Sequence, residues 1–133
     1  MSTQNQNEYL LLFRGTGWHK NLSPEELQDV MARWSAWFER LSQQGKLKSG
    51  LPLQKEGKIV SGKHGRTVAD GPFNESKEAI GGFFVLQVDD LDEAIRIAQE
   101  CPGLDYGTKI EVRPVAERCA LERVTEQPAQ AVA

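Results

Sequence analysis

Phe83-Phe84-Val85-Leu86-Gln87-Val88-Asp89-Asp90-Leu91-Asp92-Glu93-Ala94-Ile95-Arg96-Ile97-Ala98 decides the fold, because a strand runs directly into a helix. Phe83 to Val88 is short, aromatic and aliphatic, and reads as a strand. Asp89 or Asp90 supplies the N-cap of the helix, with Glu93 three residues after Asp90. Leu91, Ala94, Ile95 and Ala98 form its expected buried stripe, and Cys101-Pro102-Gly103 stops it. Phe83 to Leu86 carries apolar groups on both faces, since successive strand side chains point to opposite sides.

Upstream, Tyr9 to Phe13 is a second strand of the same two-faced kind, ended by Arg14-Gly15. After the loop Thr16 to Leu22, Ser23 is an N-cap, Pro24 fits the first helical position, and Glu26 completes a capping box. Leu27, Val30, Met31, Trp34, Phe38 and Leu41 recur at helical spacing, so Trp34 and Phe38 are expected to be buried and Trp37 at least partly so. Gln44-Gly45 closes the helix. Lys46 to Leu53 is extended but interrupted by Gly50 and Pro52. Lys58–Val60 and Arg66–Ala69 flank Gly62-Lys63-His64-Gly65 as a hairpin, and Asp70-Gly71-Pro72 is a turn. Glu75 to Glu78 is polar, with room for one helical turn, and Lys109 to Val115 is the last strand.

The order is therefore β-α-β-(hairpin)-β-α-β. It divides into a polar N-terminus over residues 1–8, one domain over 9–115 and a tail over 116–133. Two helices cover one face of a four-stranded antiparallel sheet. Leu10 to Phe13 and Phe83 to Leu86 put apolar groups on both faces of their strands, so the uncovered face needs a partner, and a two-fold homodimer is the simplest source.

Composition narrows the function. The 133 residues suffice for one hydrophobic core, and 39% hydrophobic with 26% charged residues describes a globular chain. Lys plus Arg number 16 against 19 Asp plus Glu, for a formal net charge of −3, so nucleic acid is not an expected partner. No apolar run is long enough for a membrane span and the N-terminus has no signal-peptide core, so a cytoplasmic protein is expected. Cys101 and Cys119, and His19 and His64, lack metal-ligand spacing. Neither metal nor cofactor is expected. Residues 57–64, Gly-Lys-Ile-Val-Ser-Gly-Lys-His, approach a P-loop, but His64 replaces the magnesium-binding Ser or Thr and no helix follows.

Asp70-Gly71-Pro72-Phe73-Asn74-Glu75-Ser76-Lys77-Glu78, followed by Gly81-Gly82-Phe83, resembles the signature of the YCII-related, DGPF-containing family. Tyr9-Leu10-Leu11, Ser23-Pro24-Glu25-Glu26, Asp90-Leu91-Asp92-Glu93-Ala94 and Glu111-Val112-Arg113-Pro114-Val115 extend the likeness over most of the chain. The resemblance implies an α+β fold, a ferredoxin-like βαββαβ unit with an inserted hairpin, pairing as a dimeric α+β barrel. It also implies a setting beside a sigma-factor pathway, and activities unsettled across the family. Some relatives are proposed to use a His–Asp pair on small ring compounds. Here the corresponding positions on the first helix hold Trp34 and Gln43, so that pair cannot be carried over.

The remaining candidates are Asp70 and His19 for acid-base chemistry, with Arg14, Trp18, Phe73, Glu75, Lys77 and Glu78 for ligand binding. Asp70 has two readings, a base sheltered in a cleft or the cap of its own turn. His19 is either a loop group suited to proton transfer or a solvated loop histidine. Arg14 or Lys77 would hold an anionic ligand, with salt bridges as the competing role. The expected cleft lies between residues 70–78 and the Arg14–His19 loop. Three functions follow: a dimeric small-molecule-binding protein, a cofactor-free lyase or isomerase of the dehydrochlorinase kind, or a protein-interaction module.

Overall fold

The computed structural model describes residues 7–15, 17–54, 56–71 and 79–116. Phe73, Glu75, Lys77 and Glu78 lie outside the described residues, as does the helical turn expected near them. The elements are β1 (Asn7–Arg14), α1 (Pro24–Gln43), β2 (Leu47–Pro52), β3 (Lys58–Ser61), β4 (Thr67–Asp70), β5 (Ile80–Val88), α2 (Leu91–Ala98) and β6 (Lys109–Pro114), with a 3-10 turn over Pro102–Tyr106. This is a mixed α+β fold with a four-stranded antiparallel sheet in the order β2-β5-β1-β6.

The two helices start where the capping chemistry places them. Ser23 Oγ accepts from the Glu26 N–H at 3.1 Å, and Glu26 Oε1 accepts from the Ser23 N–H at 2.9 Å. Removing the hydroxyl in Ser23→Ala is expected to cost about 1 kcal/mol in urea unfolding, with the fold unchanged. The Asp90 carboxylate accepts from the Glu93 N–H at 2.9 Å. Glu93 in turn pairs with Lys46 at 3.0 Å, and the Lys46 hydrogen bond holds its carboxyl below the ordinary value.

Tyr9, Leu11 and Phe13 of β1 and Phe84, Leu86 and Val88 of β5 are buried in one core cluster with Trp37 and Leu41 of α1 and Ala94, Ile97 and Ala98 of α2. The alternate residues Leu10, Leu12, Phe83 and Val85 are half-buried. Leu10 stands opposite Val85 and Leu12 opposite Phe83, making one apolar patch on the two central strands. Ion pairs edge it: Arg14–Glu111, Arg113–Glu111 and Lys48–Glu8.

Both expected helix stripes need correction. On α1 the buried residues are Val30, Trp37 and Leu41, while Leu27, Met31 and Phe38 are exposed and Trp34 is half-buried. On α2 Ile97 replaces Leu91 and Ile95 in the buried set with Ala94 and Ala98. In each case the apolar arc is wider than the sheet covers, and the sheet selects one sector of it.

β3 and β4 form a separate two-stranded sheet, the expected hairpin. His64 at φ +61°, between Gly62 and Gly65 at positive φ, closes its loop as a single 3-10 turn, where a P-loop would begin a helix. None of the described helices is long and apolar enough to cross a membrane.

Candidate functional site

The uncovered sector of α1 forms one wall of a cavity of about 820 Å³. Met31, Trp34 and Phe38 supply its apolar part, and Ser35, Glu39 and Ser42 lie beside them. The opposite wall comes from residues 50–53 of β2 and the segment after it, and from residues 81–84 of β5. Trp18 and His19 contribute from the loop after β1.

Gly50, one of the lining residues, makes room for the Phe84 ring. Gly50 stands opposite Phe84 on the neighbouring strand, and a Cβ there would lie 2.7 Å from the Phe84 ring. Phe84 therefore lies over β2, where it meets Trp37 at 5.0 Å on the core side and Phe38 at 5.5 Å on the cavity side. The ring cannot easily retreat, since Phe13 also packs edge-on against it at 5.0 Å. Gly50→Ala is expected to destabilise the chain by roughly 1–3 kcal/mol through this overpacking, read from the denaturation midpoint.

Stacking fixes the His19 loop. The Trp18 ring lies nearly parallel to Trp34, at 5.9 Å and 12°, and to Tyr106, at 6.3 Å and 22°. His19 packs edge-on against Trp18 at 5.5 Å. Trp34 itself rests close to Gly103, where a Cβ would stand 2.9 Å from its ring. An aromatic path thus runs from the 3-10 turn through Trp18 and Trp34 to Phe13 and the core.

The structure brings together two of the candidate residues, Trp18 and His19, in this cavity. Arg14 and Asp70 are not among its lining residues. Arg14 is committed to Glu111 across the β1–β6 pair. Asp70 ends β4 on the projecting hairpin, pairs with Lys58 across it, and leaves 78% of its side chain exposed. This cavity lies between the His19 loop, α1 and the β2–β5 edge, and residues 72–78 of the expected cleft lie outside the described residues. The polar stripe Ser35, Glu39 and Ser42 was missed by sequence reasoning. Its signal was the spacing of four and three residues, which places all of them on one side of α1.

A smaller depression lies beside Cys101, bordered by Arg33, Arg40, Glu100 and Asp105. Its charges are already paired, Arg33 with Asp105 at 3.0 Å and Arg40 with Glu100 at 2.8 Å. Burial pushes the Cys101 thiol up to about 11, which makes it a poor nucleophile. Among the described residues there is no group of three His, Cys, Asp or Glu side chains placed to hold a metal.

The sequence profile of the YCII-related domain matches residues 6–117. The chain belongs to the YCII-related domain family. An uncharacterised protein of Rhizobium meliloti (strain 1021) is 35% identical over 98 residues, covering 71% of this chain and 79% of that relative. The matched span takes in every described element of this YCII-related chain, including all three segments that wall the cavity.

Proposed function

We propose that this YCII-related protein is a homodimeric small-molecule-binding protein whose ligand occupies the cavity beside α1. The carrying observation is the cavity itself, large enough for a small metabolite, with aromatic walls and polar groups gathered on one side. Small-molecule sites are generally built this way, apolar surface giving affinity and a few polar groups giving orientation. The strand order and the helices gathered on one face support the ferredoxin-like reading. The half-buried patch of Leu10, Leu12, Phe83 and Val85, edged by ion pairs, supports pairing as a dimeric α+β barrel, since interfaces combine an apolar centre with a polar rim. Ligand sensing in a sigma-factor pathway is the setting that the DGPF resemblance adds.

One observation favours a second reading, a cofactor-free lyase or isomerase: His19 lines the cavity, and an imidazole can take and return a proton near neutral pH. In that reading Asp70 is a hairpin residue, and Asp70→Asn leaves activity intact.

A thermal-shift screen of small aromatic and apolar metabolites tests the binding reading, since a ligand bound only by the folded chain raises its melting temperature. Ser35→Phe, which fills the cavity from an exposed position on α1, is expected to abolish the rise. A rise that persists unchanged in that variant contradicts the assignment of the site. Turnover of the same ligand, lost in His19→Gln, selects the enzyme.

A further inference from the structure

We infer that the cavity selects a cation, a protonated amine or quaternary ammonium carrying an apolar or aromatic body. The inference rests on the cavity being a ligand site and adds the charge of the ligand. Glu39 is the one formally charged side chain among the described lining residues; neither Lys nor Arg lines the cavity there. The cations along α1 are engaged, Arg33 with Asp29 and Asp105, and Arg40 with Glu100, and Glu26 closes the capping box at the far end of the helix. Glu39 has no ion pair among the described residues.

Its neighbours suit an ammonium group. Ser35, Glu39 and Ser42 run along one side of α1, and each offers an oxygen that accepts an N–H. Trp34 and Phe38 lie on the adjacent stripe, with Trp18 beyond. Aromatic faces carry negative potential and attract a cation within about 6 Å, more strongly where water is excluded. Trp18 is stacked against Trp34 and Tyr106, so the ring surface left to act with the carboxylate on a cation is that of Phe38 and the remaining part of Trp34, and both groups oppose an anion. Arg14, one residue from which an anion site was expected, is held by Glu111 outside the cavity. Lys77, the other, lies outside the described residues.

Three near-isosteric probes separate the possibilities on the full chain, with binding followed by calorimetry at neutral pH: 2-phenylethylammonium, 2-phenylethanol and phenylacetate. The ammonium is expected to bind about ten-fold more tightly than the alcohol, and phenylacetate most weakly. Glu39→Gln, at an exposed helix position, is expected to remove most of that preference, lowering the affinity for the ammonium far more than that for the alcohol. Equal or tighter binding of the alcohol, tightest binding of phenylacetate, or a preference that survives Glu39→Gln overturns the inference. In those cases binding continues, so the cavity remains a ligand site. Failure of all three probes to bind overturns the inference, and the thermal-shift screen with Ser35→Phe then decides the binding reading separately.

Discussion

Trp37→Ala is expected to cost on the order of 3–5 kcal/mol and to leave much of the chain unfolded at physiological temperature. Trp37 is 2% exposed and packs against Phe13, Trp34 and Phe84, at the junction of β1, β5 and α1. Its indole N–H donates to Glu100 Oε1 at 3.2 Å, so the substitution also releases a bond tying α1 to the turn that follows α2. The neighbouring Phe38 is 38% exposed and faces the cavity. Phe38→Ala should therefore destabilise much less while weakening ligand binding. Denaturation of the two variants checks the assignment. A larger loss for Phe38→Ala would place the core on the wrong sector of α1.

The second large effect is on assembly. Leu12→Asp is expected to convert a species of twice the chain mass into a folded monomer, as seen by sedimentation with circular dichroism as the control. Leu12 sits in the middle of the patch, between Phe83 on one neighbouring strand and Glu111 on the other. In a two-fold dimer the same patch meets itself, so one substitution places two carboxylates in the buried centre. Apolar surface contributes roughly 25 cal/mol per Å² removed from water, and a stable interface buries about 800 Å² per partner. Desolvating two like charges in such a patch offsets much of that. Helix-side contacts are untouched, because Leu11 and Phe13, which face the core, keep their places. A wild-type chain that sediments as a monomer at micromolar concentration removes the proposed barrel pairing.

Local chemistry was legible in the sequence and cross-strand chemistry was not. Ser23-Pro24 with Glu26, and Asp90 with Glu93, announce helix starts through side-chain to backbone bonds made within a few residues. The hairpin around Gly62 to Gly65 is equally local. The two-faced character of β1 and β5 follows from alternation alone. By contrast, the sector of α1 that faces the sheet is set by its packing against β1, β5 and α2. Leu27, Met31 and Phe38 are as apolar as Val30, Trp37 and Leu41, so spacing cannot rank the two arcs. Equally illegible was the Gly50 position, where a missing side chain admits the Phe84 ring that packs against Phe38. That pairing joins residues far apart in the chain. His19 could be read as a loop residue, but its place in the cavity required Trp18 to find Trp34 and Tyr106. Asp70 could be read from the sequence as a cleft base or as the cap of its own turn. Its partner Lys58 was visible only once β3 and β4 were in register.

The most direct test of the cavity as a binding site uses the three indole N–H signals of the chain in a two-dimensional nitrogen–proton spectrum. Trp18 and Trp34 line the cavity, whereas Trp37 is sealed in the core with its N–H held by Glu100. Titration with 2-phenylethylammonium is expected to shift the Trp18 and Trp34 indole signals in a saturable way, leaving that of Trp37 nearly still. Saturable binding that moves neither Trp18 nor Trp34, or no saturable shift with this or any ligand from the thermal screen, would contradict the account.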